Sequence, residues 1–131
     1  MVNAAAPRTI NRFMLSLASG EQLAQSRPSG TTAVSAFTAS LVTEVTLIAI
    51  CNTTAGAVNY SLYHDDDGST FDQTTALHYS QSISANSTVY VGAESIGAGI
   101  VVKPDGQIGI QTSSANALTF TLYGVTEAVA R

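Results

Sequence analysis

The run His64-Asp65-Asp66-Asp67-Gly68-Ser69-Thr70-Phe71-Asp72 gathers more chemically able side chains than any other stretch of the chain. Three adjacent carboxylates, with Asp72 close behind, could hold a hard cation such as Ca²⁺ through oxygen. The spacing speaks against it. Ligands at alternate positions and a closing Glu are missing, and adjacent carboxylates on an extended backbone point in opposite directions. The plainer expectation is a solvated acidic loop whose turns are set by Gly68 and Asp72, with no resident metal. Asp65, Asp66, Asp67 and Asp72 stand as the weak metal candidates. The loop could instead meet a basic neighbour, such as the arm that carries Arg8 and Arg12.

Nucleophilic chemistry has little to build on. Cys51 is the single cysteine, so no internal disulfide can form and secretion gains no support. His64 and His78 are the two histidines, and nothing places either beside Cys51 with an orienting acid. Cys51 shares a face with Val45 and Leu47 and reads as a small buried hydrophobe. His78, between Leu77 and Tyr79, reads as a half-exposed strand residue, and a metal held by the two imidazoles is weakly supported. No phosphate loop, paired-cysteine motif or Gly-x-Ser-x-Gly elbow occurs. Carboxylate pairs for glycoside hydrolysis have a spatial spacing that sequence does not reveal. The absence of Trp disfavours a sugar-stacking cleft. The expectation is a protein that is not an enzyme and needs no cofactor.

Composition points the same way. The 131 residues suit one domain, with 45% hydrophobic but only 11% charged residues. Ser, Thr, Asn and Gln supply the polarity, and such a surface costs less to desolvate than a charged one. That fits a surface destined to lie against other protein. The net charge of −4 is uneven. Residues 1–28 carry Arg8, Arg12 and Arg27 against Glu21, and all but two of the remaining charges in 29–131 are acidic. A basic arm on an acidic body follows. The arm is too weakly charged for nucleic acid, and no basic stripe with interleaved aromatics accompanies it. Phe13-Met14-Leu15 is too short for a signal peptide and lies beside Arg8 and Arg12. Leu47 to Cys51 falls far short of the ~20 apolar residues of a membrane span. The chain is therefore read as soluble, with no membrane partner, made in a reducing cytoplasm.

The elements that would position these residues are strands. Residues 1–10 have no period and read as extended. Arg12 to Leu17 fits a first strand or, with Leu23, a short helix. Ser26-Arg27-Pro28-Ser29-Gly30 breaks the chain. Thereafter a period of two takes over. Strands are predicted over 31–39, 42–51, 57–64, 76–83, 88–91, 100–102, 107–112 and 118–125. Both faces of 42–51 are apolar, which predicts a central strand covered on both sides: Val45, Leu47, Ala49 and Cys51 on one, Thr46, Ile48 and Ile50 on the other. Residues 92–99, with three glycines, read as a loop. Lys103-Pro104-Asp105-Gly106 predicts a type I turn joining two strands as a hairpin. Leu118, Phe120 and Leu122 should point in, Thr119, Thr121 and Tyr123 out. Such a series of short strands, with no internal repeat, argues for an all-β sandwich or jelly roll of about 7–9 antiparallel strands. It spans 29–131 and carries an extended N-terminal arm, 1–28.

The run Ile48-Ala49-Ile50-Cys51-Asn52-Thr53-Thr54, with Val58, Leu62, His64-Asp65-Asp66-Asp67-Gly68 and Thr70-Phe71-Asp72, resembles a pattern carried by small virion proteins of tailed phages. Ile83-Ser84-Ala85-Asn86-Ser87-Thr88-Val89 matches their next turn. Ala117-Leu118-Thr119-Phe120-Thr121-Leu122-Tyr123-Gly124 matches their end. The resemblance covers roughly residues 30–126. It implies a β-sandwich and a place in the phage particle: capsid cement (decoration) protein, neck or tail adaptor, or fibre base. The first of these implies a homotrimer bridging capsomers and contacting the major capsid protein, with localisation in the virion. Arg8, Arg12 and Phe13 of the arm, and Tyr63 and Tyr123 outside the faces of Leu62 and Leu122, are the expected interface residues. The tyrosines could equally face the second sheet or lie under a loop. A host-surface or glycan-binding sandwich is the rival from another class, and it would need an aromatic, polar groove.

Overall fold

The computed structural model describes residues 21–92 and 99–127. Arg8, Arg12, Phe13 and the first strand or helix expected around 12–17 lie outside the described residues. The described residues are all β: nine antiparallel strands and no helix. In chain order they are β1 (Glu21–Ser26), β2 (Val34–Thr38), β3 (Thr43–Asn52), β4 (Val58–Asp65), β5 (Ala76–Ile83), β6 (Thr88–Gly92), β7 (Ile100–Val102), β8 (Gln107–Thr112) and β9 (Leu118–Thr126).

One sheet runs β1-β9-β3-β6 and the other β2-β8-β4-β5. That is the jelly-roll order, in which most strands joined in sequence lie in facing sheets; β4–β5 and β6–β7 are the pairs that stay in one sheet. β6 and β7 lie end to end on the same edge of β3: β6 pairs Leu47 to Cys51, and β7 pairs Thr43 to Val45. Together they cover that edge of β3 from Thr43 to Cys51.

The core lies between the sheets. Ile48, Ile50, Phe120, Leu122 and Leu118 from the first sheet meet Leu62, Ile108, Ile110 and Ile83 from the second, all essentially without solvent contact. Alternation put Leu118, Phe120 and Leu122 inward, as the sequence predicts. In β3 a bulge at Thr46 breaks the alternation. Val45 therefore turns into the core beside Ile48 and Ile50, while Leu47, Ala49 and Cys51 keep the outer face. Cys51 is half-buried there and not a core residue. Gly124 makes the bulge possible, since a side chain at that position would collide with the Glu44 carbonyl oxygen.

Two expectations change. Residues 21–26, assigned to the arm, form the edge strand β1 on β9, with Leu23 and Ala24 packed against the core. Arg27 then pins the chain to the body by donating to Thr53 Oγ1 (3.0 Å), Thr119 Oγ1 (3.2 Å) and the Asn116 carbonyl. The Leu23 pattern was too short to show strand pairing with a partner about a hundred residues away. The Lys103–Gly106 turn forms, with Gly106 N–H donating to Lys103 O at 2.8 Å, but it is no hairpin. It carries the chain from β7 in one sheet to β8 in the other. Asp105 takes the left-handed conformation (φ 73°), the mark of a type II turn after Pro in place of the type I turn expected.

Candidate functional site

The three adjacent carboxylates at the end of β4 do three different things. Asp65 is buried; its Oδ2 accepts the Thr70 N–H (2.8 Å) and its Oδ1 the Asp67 N–H (3.2 Å). The Thr70 amide, then the hydrogen bond shared with Asp67, hold the Asp65 carboxyl below its ordinary value. Asp66 turns the other way. Its Oδ1 lies 2.7 Å from His64 Nε2 and accepts the Lys103 N–H at 3.2 Å, tying the β7–β8 turn to β4. Asp67 is exposed, and its hydrogen bond to Asp65 and the charge of Asp65 push its carboxyl up. Asp72 Oδ1 accepts both the hydroxyl and the N–H of Thr74 (2.5 and 2.8 Å), which draw its carboxyl down. Among the described residues no three His, Cys, Asp or Glu side chains converge to hold a metal.

The same loop folds back over the outer face of the β2-β8-β4-β5 sheet. Phe71 lies beside Tyr63, ring centroids 6.1 Å apart, and over Gly109 of β8. Tyr63 does point away from Leu62, but the loop covers it and it is 1% exposed. Of the two readings its outward position allowed, it therefore follows the one under a loop and is not an exposed interface anchor. Its hydroxyl donates to Gln111 Oε1, while Gln111 Nε2 donates to the Thr31 carbonyl at 3.0 Å. Both ends of the Gln111 amide are thereby fixed.

Next along this face, β5 bulges. Tyr60 pairs with Gln81 and Leu62 with His78, so Tyr79 and Ser80 together oppose Ser61. Ser80 sits at φ 52°, which costs on the order of 1 kcal/mol or more for a residue other than Gly. Its N–H donates to Ser61 Oγ at 2.9 Å, which holds the bulge in place. Tyr79, 47% exposed, stands between two hollows. The first, about 140 Å³, is bordered by Asn59, Ser61, Gln111 and Ser113. The second, about 460 Å³, is bordered by Tyr63, Phe71, Asp72, Gln73 and Thr74. Beneath β5, Tyr60 Oη lies 2.8 Å from His78 Nδ1, and burial pushes the Tyr60 phenol up.

The outer face of the other sheet has a different character. Leu47, Ala49 and Cys51 of β3 run along its centre. Tyr123 of β9 lies opposite Leu47 and is half-buried, as an outward position should be. Tyr90 of β6 lies opposite Ala49 and Val101 of β7 opposite Glu44; they are 62% and 54% exposed. Val42 and Val125 join Val101 around a shallow hollow rimmed by Glu44 and Glu127. Among the described residues nothing covers this apolar strip. Tyr90 and Val101 were missed as surface candidates, although their alternation with buried neighbours gave the signal. Phe71 stood in the quoted motif, but its place over the sheet, like the roles of Gln111 and Gly109, carried no pattern that sequence could have read.

No protein-family model matches this chain, and no curated protein does. A solved structure described as "Structure of infectious bursal disease virus Gx strain" superposes on 86% of this chain with a TM-score of 0.42 and 10% sequence identity. This chain spans only a third, 33%, of that one.

Proposed function

We propose that this protein is a structural component of a tailed-phage particle, a capsid cement protein that stabilises the head by bridging capsomers. The observation that carries the reading is the apolar outer face of the β1-β9-β3-β6 sheet. A central strand with Leu47, Ala49 and Cys51 on its outer side needs a second cover. Exposed apolar area is unfavourable by ~25 cal/mol per Å², and a contiguous patch of it marks a protein contact. The motif shared with small phage virion proteins supports the same reading. The mechanism has no chemical step, cofactor or metal. Buried area between subunits and capsid, repeated by symmetry, resists internal pressure, and avidity makes up for weak single contacts. A homotrimer at three-fold junctions, seated on the major capsid protein, satisfies this. The basic segment with Arg8, Arg12 and Phe13 reaches a neighbouring subunit, where Glu44 and Glu127 supply complementary charge.

A density map of the intact particle tests the proposal. Hundreds of copies on the head surface are expected. A dozen or fewer at the neck, tail or fibre base would make it an adaptor, and absence from the particle would end the virion reading. Tyr90→Asp with Val101→Asp should leave the isolated protein folded and strip it from particles.

A further inference from the structure

We propose that the groove on the opposite face, across Tyr79, is a binding site for a neutral oligosaccharide. The argument is one of lining chemistry. The two hollows that flank Tyr79 are bordered by hydroxyls and amides, one carboxylate and aromatic rings. No Lys or Arg lines either, which removes the contact that a phosphate, a nucleic acid or an acidic sugar requires. No aliphatic side chain lines either, so an apolar peptide side chain would meet only the rings and would leave the surrounding hydroxyls and amides unpaired. A ligand rich in uncharged hydroxyls, with a C–H face to lay on a ring, matches what remains.

The groove is also held in shape. Gln111 is fixed at both ends of its amide, by the Tyr63 hydroxyl and the Thr31 carbonyl. Tyr79 is set by a bulge that Ser61 stabilises against an unfavourable backbone conformation at Ser80. Local strain kept in place by a dedicated side chain is a feature of binding sites. Asp72 uses Oδ1 for Thr74, leaving Oδ2 without a hydrogen-bond partner among the described residues and able to accept from a hydroxyl. In the bound state Tyr79 stacks on a sugar ring, and Asn59, Gln73 and Asp72 take its hydroxyls on either side. This face lies opposite the apolar strip, so a copy seated on a particle by that strip would present the groove outward.

The test uses the full chain on an array of neutral and acidic bacterial O-antigen and capsular oligosaccharides. The hits are then titrated while the amide resonances of Asn59, Tyr79 and Gln111 are followed. The expected result is binding of at least one neutral oligosaccharide, with shifts confined to this face. Tyr79→Ala should weaken it by at least about tenfold at an unchanged melting temperature, and Tyr79→Phe should largely retain it. Binding of no neutral oligosaccharide, of acidic ones alone, or undiminished binding by Tyr79→Ala would overturn the proposal. Particle occupancy should be the same for all three proteins, so this outcome is independent of the virion reading.

Discussion

Phe71 lies directly over Gly109: a methyl group at Gly109 would come within 2.5 Å of the Phe71 ring. The acidic loop is therefore seated on the sheet by an aromatic ring that needs a bare backbone beneath it. Gly109→Ala should displace Phe71 and uncover Tyr63. A cost of about 1–3 kcal/mol is expected, the usual range for overpacking. Urea denaturation gives the magnitude, and increased quenching of tyrosine fluorescence would report the uncovered ring. An unchanged midpoint would mean that the loop is not held by this contact.

The three aspartates should respond differently to neutralisation. Asp65 offers two oxygens to two backbone N–H groups. Asp65→Asn replaces one acceptor by a donor, so one amide faces an NH₂ group and the protein should lose stability measurably. Asp67→Asn removes a charge that Asp65 repels, and should be neutral or slightly stabilising at pH 7. Thermal melts of the two variants check the order. Equal effects would return the loop to an undifferentiated acidic surface.

Acid should weaken the same loop. Asp65 and Asp72 have carboxyls lowered by backbone and hydroxyl donors, so the folded state holds their protons less tightly than the unfolded chain. Their contribution is present above the unfolded value near ~3.9 and is lost as pH falls through the lower folded values. Asp67, raised by Asp65, contributes with the opposite sign and softens the slope. The melting temperature should decline below about pH 4, and less steeply in Asp72→Asn than in the parent. An identical decline in both would remove Asp72 from the account.

The strands were legible because alternation is local. β5, β7 and β8 occupy the residues that period-two patterning assigned to them, and β3, β4, β6 and β9 differ only at their ends. What pattern could not show was pairing. The Lys103–Gly106 turn was visible as a turn, but whether its flanking strands pair with each other depends on β3 and β4, which claim them first. Strict alternation also placed Val45 with Leu47, because one extra residue at Thr46 is invisible without the partner strand. The groove was less legible still. Tyr79 was visible as a strand tyrosine, but its surroundings come from β4, β8 and a loop that folds back, and long-range contacts of that kind leave no period in the sequence.

Two truncations separate the arm from the body. The body begins earlier than the breaker at Pro28 suggests. β1 pairs with β9 from Glu21 to Ser26, Arg27 bonds to three separate residues, and Asn116 N–H donates to the Pro28 carbonyl at 2.9 Å. Removing residues 2–28 strips this strand from β9 and exposes its edge, with an expected loss of at least ~3 kcal/mol from the combined apolar burial and hydrogen bonds. Removing residues 2–20 leaves all of these contacts in place, so its unfolding midpoint should stay well above that of the longer truncation. The shorter truncation is thus the clean probe of Arg8, Arg12 and Phe13. If those residues reach a neighbouring subunit, particles carrying it should hold fewer copies, and the deficit should grow with salt as the screened pairing to Glu44 and Glu127 weakens. Full occupancy at every salt concentration would take the basic segment out of the mechanism and leave the apolar sheet face to hold the protein alone.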